Sequence, residues 1–361
     1  MARYKALDAF RGLTIALMIL VNTPGSWDHI YWPFGHAEWN GYTPTDLVFP
    51  FFLFIIGSAM FFSFKKSDFQ FSGAACQKIL QRGVMMFAIG LALNTLNLIA
   101  GSGDFAELRI MGVLQRIGIA YIFAGAIVLL VGRIGVFLVS ALLLLGYWAL
   151  LVLLGGDNQL GLQDNAVRQF DLAMLSADHM WAGKGIPFDP EGLLSTIPAI
   201  VNVLLGFEAT RYLTSIKNKS ESVWRLAGLG VAAVLLATVW DLLWPINKSL
   251  WSGSYVIVTT GWALIVLAMF IWLMDVKGKP FEPLLVYGMN PLFIYVVSWV
   301  WVVVYYLIPV GDGHLYDVVF GWFLAGDSPN MAASFLFAIS HVYLFWLISL
   351  YLYRRNIVIK L

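Results

Sequence analysis

The stretch His36-Ala-Glu-Trp-Asn-Gly-Tyr-Thr-Pro-Thr-Asp-Leu-Val-Phe-Pro-Phe-Phe-Leu-Phe-Ile-Ile-Gly-Ser58 joins a polar cluster directly to a long apolar run. The apolar run reaches the length of about 20 residues that a helix needs to cross the hydrocarbon core of a membrane. The polar part begins with an imidazole, the one side chain whose unperturbed pKa lies near neutrality. The stretch therefore predicts a membrane-spanning helix with a candidate base at its entrance.

Composition extends this prediction to the whole chain. Of 361 residues, 60% are hydrophobic and only 12% are charged, and the mean hydropathy is +0.80. Soluble domains carry roughly twice that charged fraction. We therefore predict an all-α, polytopic transmembrane helix bundle that forms one domain over residues 1–361.

Apolar runs recur along the chain and predict about ten spanning helices. The segment 315–325 is too short to span and is expected to lie at the interface or to re-enter the membrane. The predicted spans are 7–22, 46–64, 79–99, 110–131, 135–154, 193–210, 224–243, 255–274, 284–308 and 331–353.

Basic residues orient these spans. Placing both termini in the cytoplasm gives the inner face seventeen of the 22 Lys and Arg residues, whereas only Arg109, Arg168, Lys184 and Lys248 fall in outer loops. His36 and the longest loop, 155–192, are then on the outer side. The inner basic residues are Arg3, Lys5, Arg11, Lys65, Lys66, Lys78, Arg82, Arg133, Arg211, Lys217, Lys219, Arg225, Lys277, Lys279, Arg354, Arg355 and Lys360.

Charge and cysteine content exclude other classes of protein. The net charge of +1 and the scattered basic residues argue against a nucleic-acid partner. The single cysteine, Cys76, rules out an intrachain disulfide. Phosphate-binding glycine loops, nucleophile elbows and zinc-binding spacings are absent from the sequence, so no metal is expected.

The first polar grouping comprises Asn22, His36, Glu38, Asn40 and Asp46. An imidazole among amide and carboxylate side chains is typical of acid–base chemistry. The alternative is a solvated loop in which Asp46 caps the following helix, and spacing alone favours that alternative.

The second grouping is Arg109-Ile-Met-Gly-Val-Leu-Gln-Arg116, which we expect to open the fourth helix. A spacing of seven would put both guanidinium groups on one helix face, about 10 Å apart. Arg109 is expected to snorkel to the surface. Arg116, within the span, would cost on the order of 3 kcal/mol to insert, so we expect it to have a carboxylate or ligand partner, with Asp46 as the first candidate.

Three further groupings flank predicted span ends. Asp178-His179 and Asp189-Pro-Glu191 lie in the longest loop, where carboxylates are usually solvated and Glu191 has the alternative of capping the sixth helix. Asn247, Lys248, Ser252 and Ser254 lie in an outer turn, where the serines have the alternative of capping the eighth helix. Asn290-Pro291 begins the ninth span, where Asn290 is a plausible N-cap.

Four of these five groupings converge on the outer half of the predicted bundle. Ionisable residues within membrane segments are functional candidates, but a transporter would display them as well as an enzyme. The residues alone therefore leave an acyltransferase and a permease open.

Seven ordered blocks, however, resemble the heparan-α-glucosaminide N-acetyltransferase family of membrane acetyltransferases and its bacterial relatives. The blocks cover nearly the full length of the chain and are Leu7–Gly12, His36–Gly41, Asp46–Pro50, Arg109–Tyr121, Asp189–Gly192, Asn247–Ser252 and Gly288–Asn290.

This resemblance implies transfer of an acetyl group from acetyl-CoA to the amine of a terminal glucosamine, with His36 in the active site. With it we assign His36, Asn40 and Asp46 to catalysis, His36 acting as a base or as an acetyl carrier. We assign the binding of acetyl-CoA to Asn22, Arg109, Arg116, Lys248, Ser252 and Asn290, and the binding of the acceptor to Asp178, His179 and Glu191.

The chain departs from lysosomal members of that family, since it lacks an extra N-terminal luminal region and has a longer segment between Asn22 and His36. A small amino sugar or an envelope glycan is therefore the expected acceptor. The alternatives are a permease for amino sugars and an O-acyltransferase acting on an envelope polysaccharide. We expect an integral protein of a bacterial inner membrane, in contact with lipid. Small residues should allow its helices to pack closely, either within the chain or against a second subunit; they are Gly83, Gly90, Gly118 and Gly125.

Overall fold

A computed structural model of the chain describes residues 4–326 and 328–359, and these residues form thirteen α-helices and one two-stranded hairpin. Arg3 and Lys360, which contributed to the predicted orientation, lie outside the described residues. The helices are α1 (Lys5–Asn22), α2 (Val48–Lys65), α3 (Gly73–Ala100), α4 (Val113–Leu130), α5 (Arg133–Leu154), α6 (Ala166–Leu175), α7 (Thr196–Ser215), α8 (Lys219–Asp241), α9 (Gly253–Phe270), α10 (Glu282–Tyr287), α11 (Pro291–Leu307), α12 (Leu315–Gly321) and α13 (Met331–Arg354).

The polytopic all-α prediction is confirmed. Among the described residues, seven helices, counted with their flanking turns, are long and apolar enough to cross a membrane. Every predicted span coincides with a helix or a helix pair, whereas the predicted total of about ten helices is too low. The additional helices are α6 inside the longest outer loop, α12 inside the segment 315–325, and α10, which is separated from α11.

The predicted span 284–308 breaks at Gly288–Asn290 because of a close approach to α1. A Cβ atom on Gly288 would lie 2.1 Å from the carbonyl oxygen of Asp8, so only glycine fits there. Pro291 then restarts the helix at its first turn, where its missing N–H is tolerated.

α1 lies at the centre of the bundle, where it packs against α2, α9, α10, α11 and α13. The span that contains α2 is also central. Of its apolar 18-residue segment, 72% is buried inside the protein, whereas only 22% of the corresponding segment of α3 is buried. The exposed apolar side chains of α3, α5 and α8 therefore face the lipid.

The four glycines proposed to pack helices do so within the chain. A Cβ atom on Gly118 of α4 would lie 2.4 Å from the carbonyl oxygen of Gly83 on α3, and atoms added at Gly90 and Gly125 would meet Gln115 and Ile79 across the same helix pair. These glycines therefore allow close contact between α3 and α4.

The predicted inner ends meet one another. Glu208 on α7 pairs with Arg211 at 3.2 Å and with Arg133 of α5 at 3.7 Å. The side chain of Asn290 donates to the carbonyl of Ile357 at 2.9 Å, which joins the start of α11 to the segment after α13. The described chain therefore begins and ends at the same side of the bundle.

The crossing of α2 and α7 provides a test of the packing. A Cβ atom on Gly206 would lie 2.0 Å from the carbonyl oxygen of Phe54. Gly206→Ala should therefore destabilise the protein by about 1–3 kcal/mol, as other overpacking changes do. Thermal unfolding in detergent measures this effect.

Gly146 on α5 is the matched control, because no atom lies within 4 Å of its added Cβ. Gly146→Ala should leave the unfolding temperature unchanged or raise it, since alanine favours helices. Equal effects of the two substitutions would contradict the packing described here.

Candidate active site

His36 and Asp46 form the centre of the polar cluster at the end of the bundle that is predicted to face outward. The Nδ1 atom of His36 lies 2.7 Å from Oδ1 of Asp46, whose side chain is 1% exposed. The other carboxylate oxygen accepts hydrogen bonds from the backbone N–H groups of Ala37 at 3.0 Å and Thr43 at 2.9 Å. A carboxylate with this set of donors is ionised, so we assign the imidazole proton to Nδ1 and a free lone pair to Nε2.

The local chain geometry explains why Asp46 points at the imidazole. Asp46 lies in a 3₁₀ turn, Pro44–Leu47, and forms a capping box with Thr43 at the start of that turn. The proposed role of Asp46 as N-cap of α2 is therefore wrong, because its carboxylate closes the preceding turn and holds His36.

Lys248 reaches the same pair from another loop. Its Nζ atom lies 3.3 Å from Oδ1 of Asp46, and 3.0 Å and 3.3 Å from the two ring nitrogens of His36. The ammonium group is thus almost equally far from the two ring nitrogens. The side chain of His36 is 49% exposed, so a substrate can reach it.

Backbone pairing fixes the two loops to each other. The N–H of Gly41 donates to the carbonyl of Ile246 at 2.7 Å, and Gly41 forms a parallel bridge with Asn247. Asn40 accepts a hydrogen bond from Asn247 at 3.1 Å. Asn40, predicted to act in catalysis, thus joins the loops that carry His36 and Lys248.

A second ammonium group, that of Lys184, lies at the rim of this cluster. It donates to the carbonyl of Glu38 at 2.9 Å and lies 5.5 Å from the centre of the Trp39 ring. Partial burial and the nearby charge of Lys248 lower the pKa of Lys184. The surface beside His36 is therefore cationic and is suited to a partner that carries an anionic group.

Arg109 is fully engaged by two carboxylates from the longest loop. Its Nε and Nη2 atoms donate to Asp189 at 2.8 Å and 2.7 Å, and Nη2 also donates to Glu191 at 2.7 Å. The spacing predicted that Arg109 and Arg116 share one helix face. Arg109 instead precedes α4, so the two side chains do not share a face. The ion pairs tie the segment before α4 to the segment before α7.

Arg116 lies in the first turn of α4 and is completely buried. It donates to the hydroxyl of Ser195 and to the carbonyl of Gly192, and its guanidinium lies 4.7 Å from the centre of the Trp251 ring. The predicted carboxylate partner is not found, and Asp46 as its first candidate is wrong: among the described residues, Arg116 is bound by a hydroxyl, a carbonyl and an aromatic face. Arg116 sits at a helix end, where loop atoms and an aromatic face can reach it.

Trp251 and Tyr255 connect the two clusters. The ring of Trp251 packs edge to face against Phe49 and Tyr255, with centroid distances of 5.1 Å to each. The hydroxyl of Tyr255 donates to the backbone carbonyl of Asp46. The buried guanidinium of Arg116 is thus linked through aromatic side chains to the turn that holds Asp46.

Two predicted cofactor residues have structural contacts. Ser252 is buried and accepts a hydrogen bond from the N–H of Tyr255 at 3.3 Å, so it caps α9, as the alternative proposed. Asn290 binds the backbone of Ile357 and Ile359 at the inner end of the bundle. The 18-residue α1, about 27 Å long, separates that end from His36, so Asn290 lies far from the imidazole.

The remaining predicted residues lie near the outer end but do not contact His36. Asn22 is exposed and lines a small cavity with Asn97 and Tyr306. His179 binds the carbonyl of Leu108 at 2.9 Å, and Asp178 beside it is exposed.

Several residues of the site were not selected from the sequence. Trp251 and Asp189 lie within the quoted blocks, which was the available signal for both. Lys184 and Ser195 lie outside those blocks, and only folding brings them to the site.

Comparisons with known proteins agree with the resemblance. The model of the family described as heparan-alpha-glucosaminide N-acetyltransferase, catalytic, matches residues 3–235. Two similar relatives are the heparan-alpha-glucosaminide N-acetyltransferases of Homo sapiens, 30% identical over 354 residues, and of Mus musculus, 29% identical over 353 residues. The matches cover 81% of this chain and 52% and 53% of the relatives, so the chain spans about half the length of these curated proteins.

Asp171 on α6 is a buried carboxylate that holds the backbone before α7, and its protonation should affect stability. It is fully buried and accepts hydrogen bonds from the N–H groups of Leu193 and Leu194, each at 3.1 Å. Burial raises the pKa of Asp171 to about 6, even though these hydrogen bonds and Arg116 oppose the change.

Because the folded pKa lies above the unfolded value, the folded state binds the proton more tightly. The contribution of Asp171 to the free energy of unfolding should therefore be present below about pH 4 and be lost as pH rises to about 6. Asp171→Asn should remove this dependence, so the variant should gain stability over the wild type across that window, by about 1.4 kcal/mol per pKa unit. Unfolding in detergent at a series of pH values measures it, and parallel profiles of the two proteins would contradict it.

Proposed function

We propose, because this chain belongs to the heparan-alpha-glucosaminide N-acetyltransferase catalytic family, that it is an integral-membrane acetyltransferase. The acetyl donor is acetyl-CoA, and the acceptor is the amine of a glucosamine-type sugar. One membrane domain, residues 1–361, carries the activity in a bacterial cytoplasmic membrane, with His36 on the outer side. The relatives' names support the reaction class, and the positive-inside distribution supports the orientation.

The contact between His36 and Asp46 carries this proposal. The 2.7 Å hydrogen bond to a buried carboxylate holds the imidazole in the tautomer whose Nε2 atom has a free lone pair. A group oriented in this way is a general base at neutral pH, and half of its surface is open to an acceptor.

The proposed reaction is direct transfer. Nε2 of His36 takes a proton from the acceptor nitrogen as that nitrogen forms a bond to the thioester carbon. The carbon–sulfur bond then breaks, and the imidazolium returns the proton to the sulfur, which leaves as the thiol. Asp46 stabilises the transient imidazolium, and His36 ends the cycle neutral.

Lys248 has two electrostatic roles in this scheme. Its ammonium group lies 3.3 Å from Oδ1 of Asp46 and so helps to hold that carboxylate against the imidazole. The same ammonium group would stabilise the negative charge that develops on the thioester oxygen when the nucleophile attacks beside His36.

An assay of thiol release tests both the reaction class and His36. Purified protein should release CoA from acetyl-CoA, and glucosamine should accelerate this release. His36→Ala should lower the rate by 10²–10⁴-fold, the usual contribution of a positioned acid–base group.

His29→Ala is the matched control, since His29 lies in the same outer segment and binds Ser26 at 3.1 Å instead of a carboxylate. It should retain its activity. More than about a tenth of the wild-type rate in His36→Ala would remove His36 from catalysis. Acetyl-histidine trapped at His36 without acceptor would replace direct transfer by a covalent route, and acceleration by hydroxyl sugars alone would indicate O-acetylation.

Orientation has its own test. In a Cys76→Ser background, a cysteine at the exposed position Asp178 should react with a membrane-impermeant maleimide in intact cells. A cysteine at the exposed position Lys66 should react only after permeabilisation. The reverse pattern would invert the proposed topology.

A further inference from the structure

Trp251 combines a strained backbone with a fully buried side chain. Its φ angle is +51°, in the left-handed region, which a bulky residue rarely adopts because of steric strain. The rest of the fold therefore has to hold Trp251 in this conformation.

The indole of Trp251 has the contacts to do so. Phe49 and Tyr255 pack against its faces and edges, and its Nε1 atom donates to Asn202 at 2.9 Å. Arg116 lies over the ring at 4.7 Å and is itself fixed by Ser195. Elements α2, α4, α7 and α9 thus all contribute to the position of one side chain.

The turn that Trp251 closes carries Lys248. The N–H of Trp251 donates to the carbonyl of Lys248 at 3.1 Å, and the N–H of Ser252 donates to the carbonyl of Asn247 at 3.0 Å. The N–H of Leu250 donates to the side chain of Asn247 at 2.7 Å. The left-handed residue thus closes the turn that contains Lys248.

We propose that Trp251, held by Arg116, is a positioning residue that keeps the ammonium group of Lys248 over His36 and Asp46. Arg116 then acts on the reaction through this aromatic contact and not by binding the acetyl donor. The inference rests on the proposed function for its catalytic consequence, while the placement of Lys248 can be tested without any activity.

A purely structural role makes a different prediction. Loss of a buried Trp from any core lowers the unfolding temperature. Only a positioning role predicts that the loss acts through Lys248. Trp244, which is equally buried and packs on Trp148, is the matched control.

The first measurement is the rate at which an amine-reactive ester modifies Lys248, followed by mass spectrometry, with Lys184 as internal reference. Lys248 is only 18% exposed and engages Asp46, so it should react slowly in the wild type. Trp251→Leu and Arg116→Met should raise its rate relative to Lys184 at least several-fold, whereas Trp244→Leu should not. Unchanged Lys248 reactivity in both variants would overturn the proposal, whether or not the protein is an acetyltransferase.

The second measurement is a double-mutant cycle on kcat. Trp251→Leu should reduce kcat by about 10²-fold, the effect of a small displacement of a catalytic group, but cause no further loss in a Lys248→Ala background. Losses that multiply would show that Trp251 acts independently of Lys248 and overturn the proposal.

Two conservative variants allow the proposal to be tested even if Trp251→Leu and Arg116→Met do not fold. Trp251→Phe keeps an aromatic ring but loses the hydrogen bond to Asn202, and Arg116→Lys keeps the cation. Both should show intermediate Lys248 reactivity and intermediate kcat with KM little changed. If only these variants fold, wild-type reactivity and kcat in both would contradict the positioning role.

Discussion

The outer site depends on the carboxylate of Asp46, which is almost completely buried and is surrounded by donors from two loops. One oxygen faces His36 and Lys248, and the other accepts the backbone N–H groups of Ala37 and Thr43. A buried carboxylate is stable only when hydrogen bonds and opposite charges replace the water it has lost. The same contacts that satisfy Asp46 therefore assemble the proposed base and the proposed oxyanion partner.

The longest outer loop is fixed to the bundle by similar means. Arg109 binds Asp189 and Glu191, and Asp171 binds the backbone at Leu193 and Leu194. Arg109 and Glu191, which were predicted to bind ligands, are thus bound by protein groups. Buried charges of this kind fix one arrangement of the loops, because any other arrangement would leave them unpaired. Lys248 and Lys184, at the edge of the site, remain the cations nearest to the exposed imidazole.

Electrostatics also separates the two ends of the protein. The site at one end places the imidazole of His36 next to cationic groups, whereas the opposite end uses Arg133 and Arg211 around Glu208 to join helix ends. Asn290 belongs to the inner end, where it binds the chain after α13. An amide side chain near the start of a span can cap a helix, bind a ligand or bind a distant backbone segment. All three partners offer the same kinds of hydrogen-bond donors and acceptors.

The sequence by itself determined the membrane class, the positions of the long helices and the family resemblance. Apolar runs of spanning length are stable in lipid as helices, because each backbone polar group must find a partner within the segment. Seven ordered blocks, His36–Gly41 among them, carried the resemblance to the family. Only the tertiary structure decided that Asp46 orients His36, that Arg116 stacks on Trp251, and that Lys184 approaches the site from a loop more than a hundred residues away in the chain. Such contacts depend on how loops of irregular geometry meet across the bundle, and hydrophobic periodicity carries no information about that geometry.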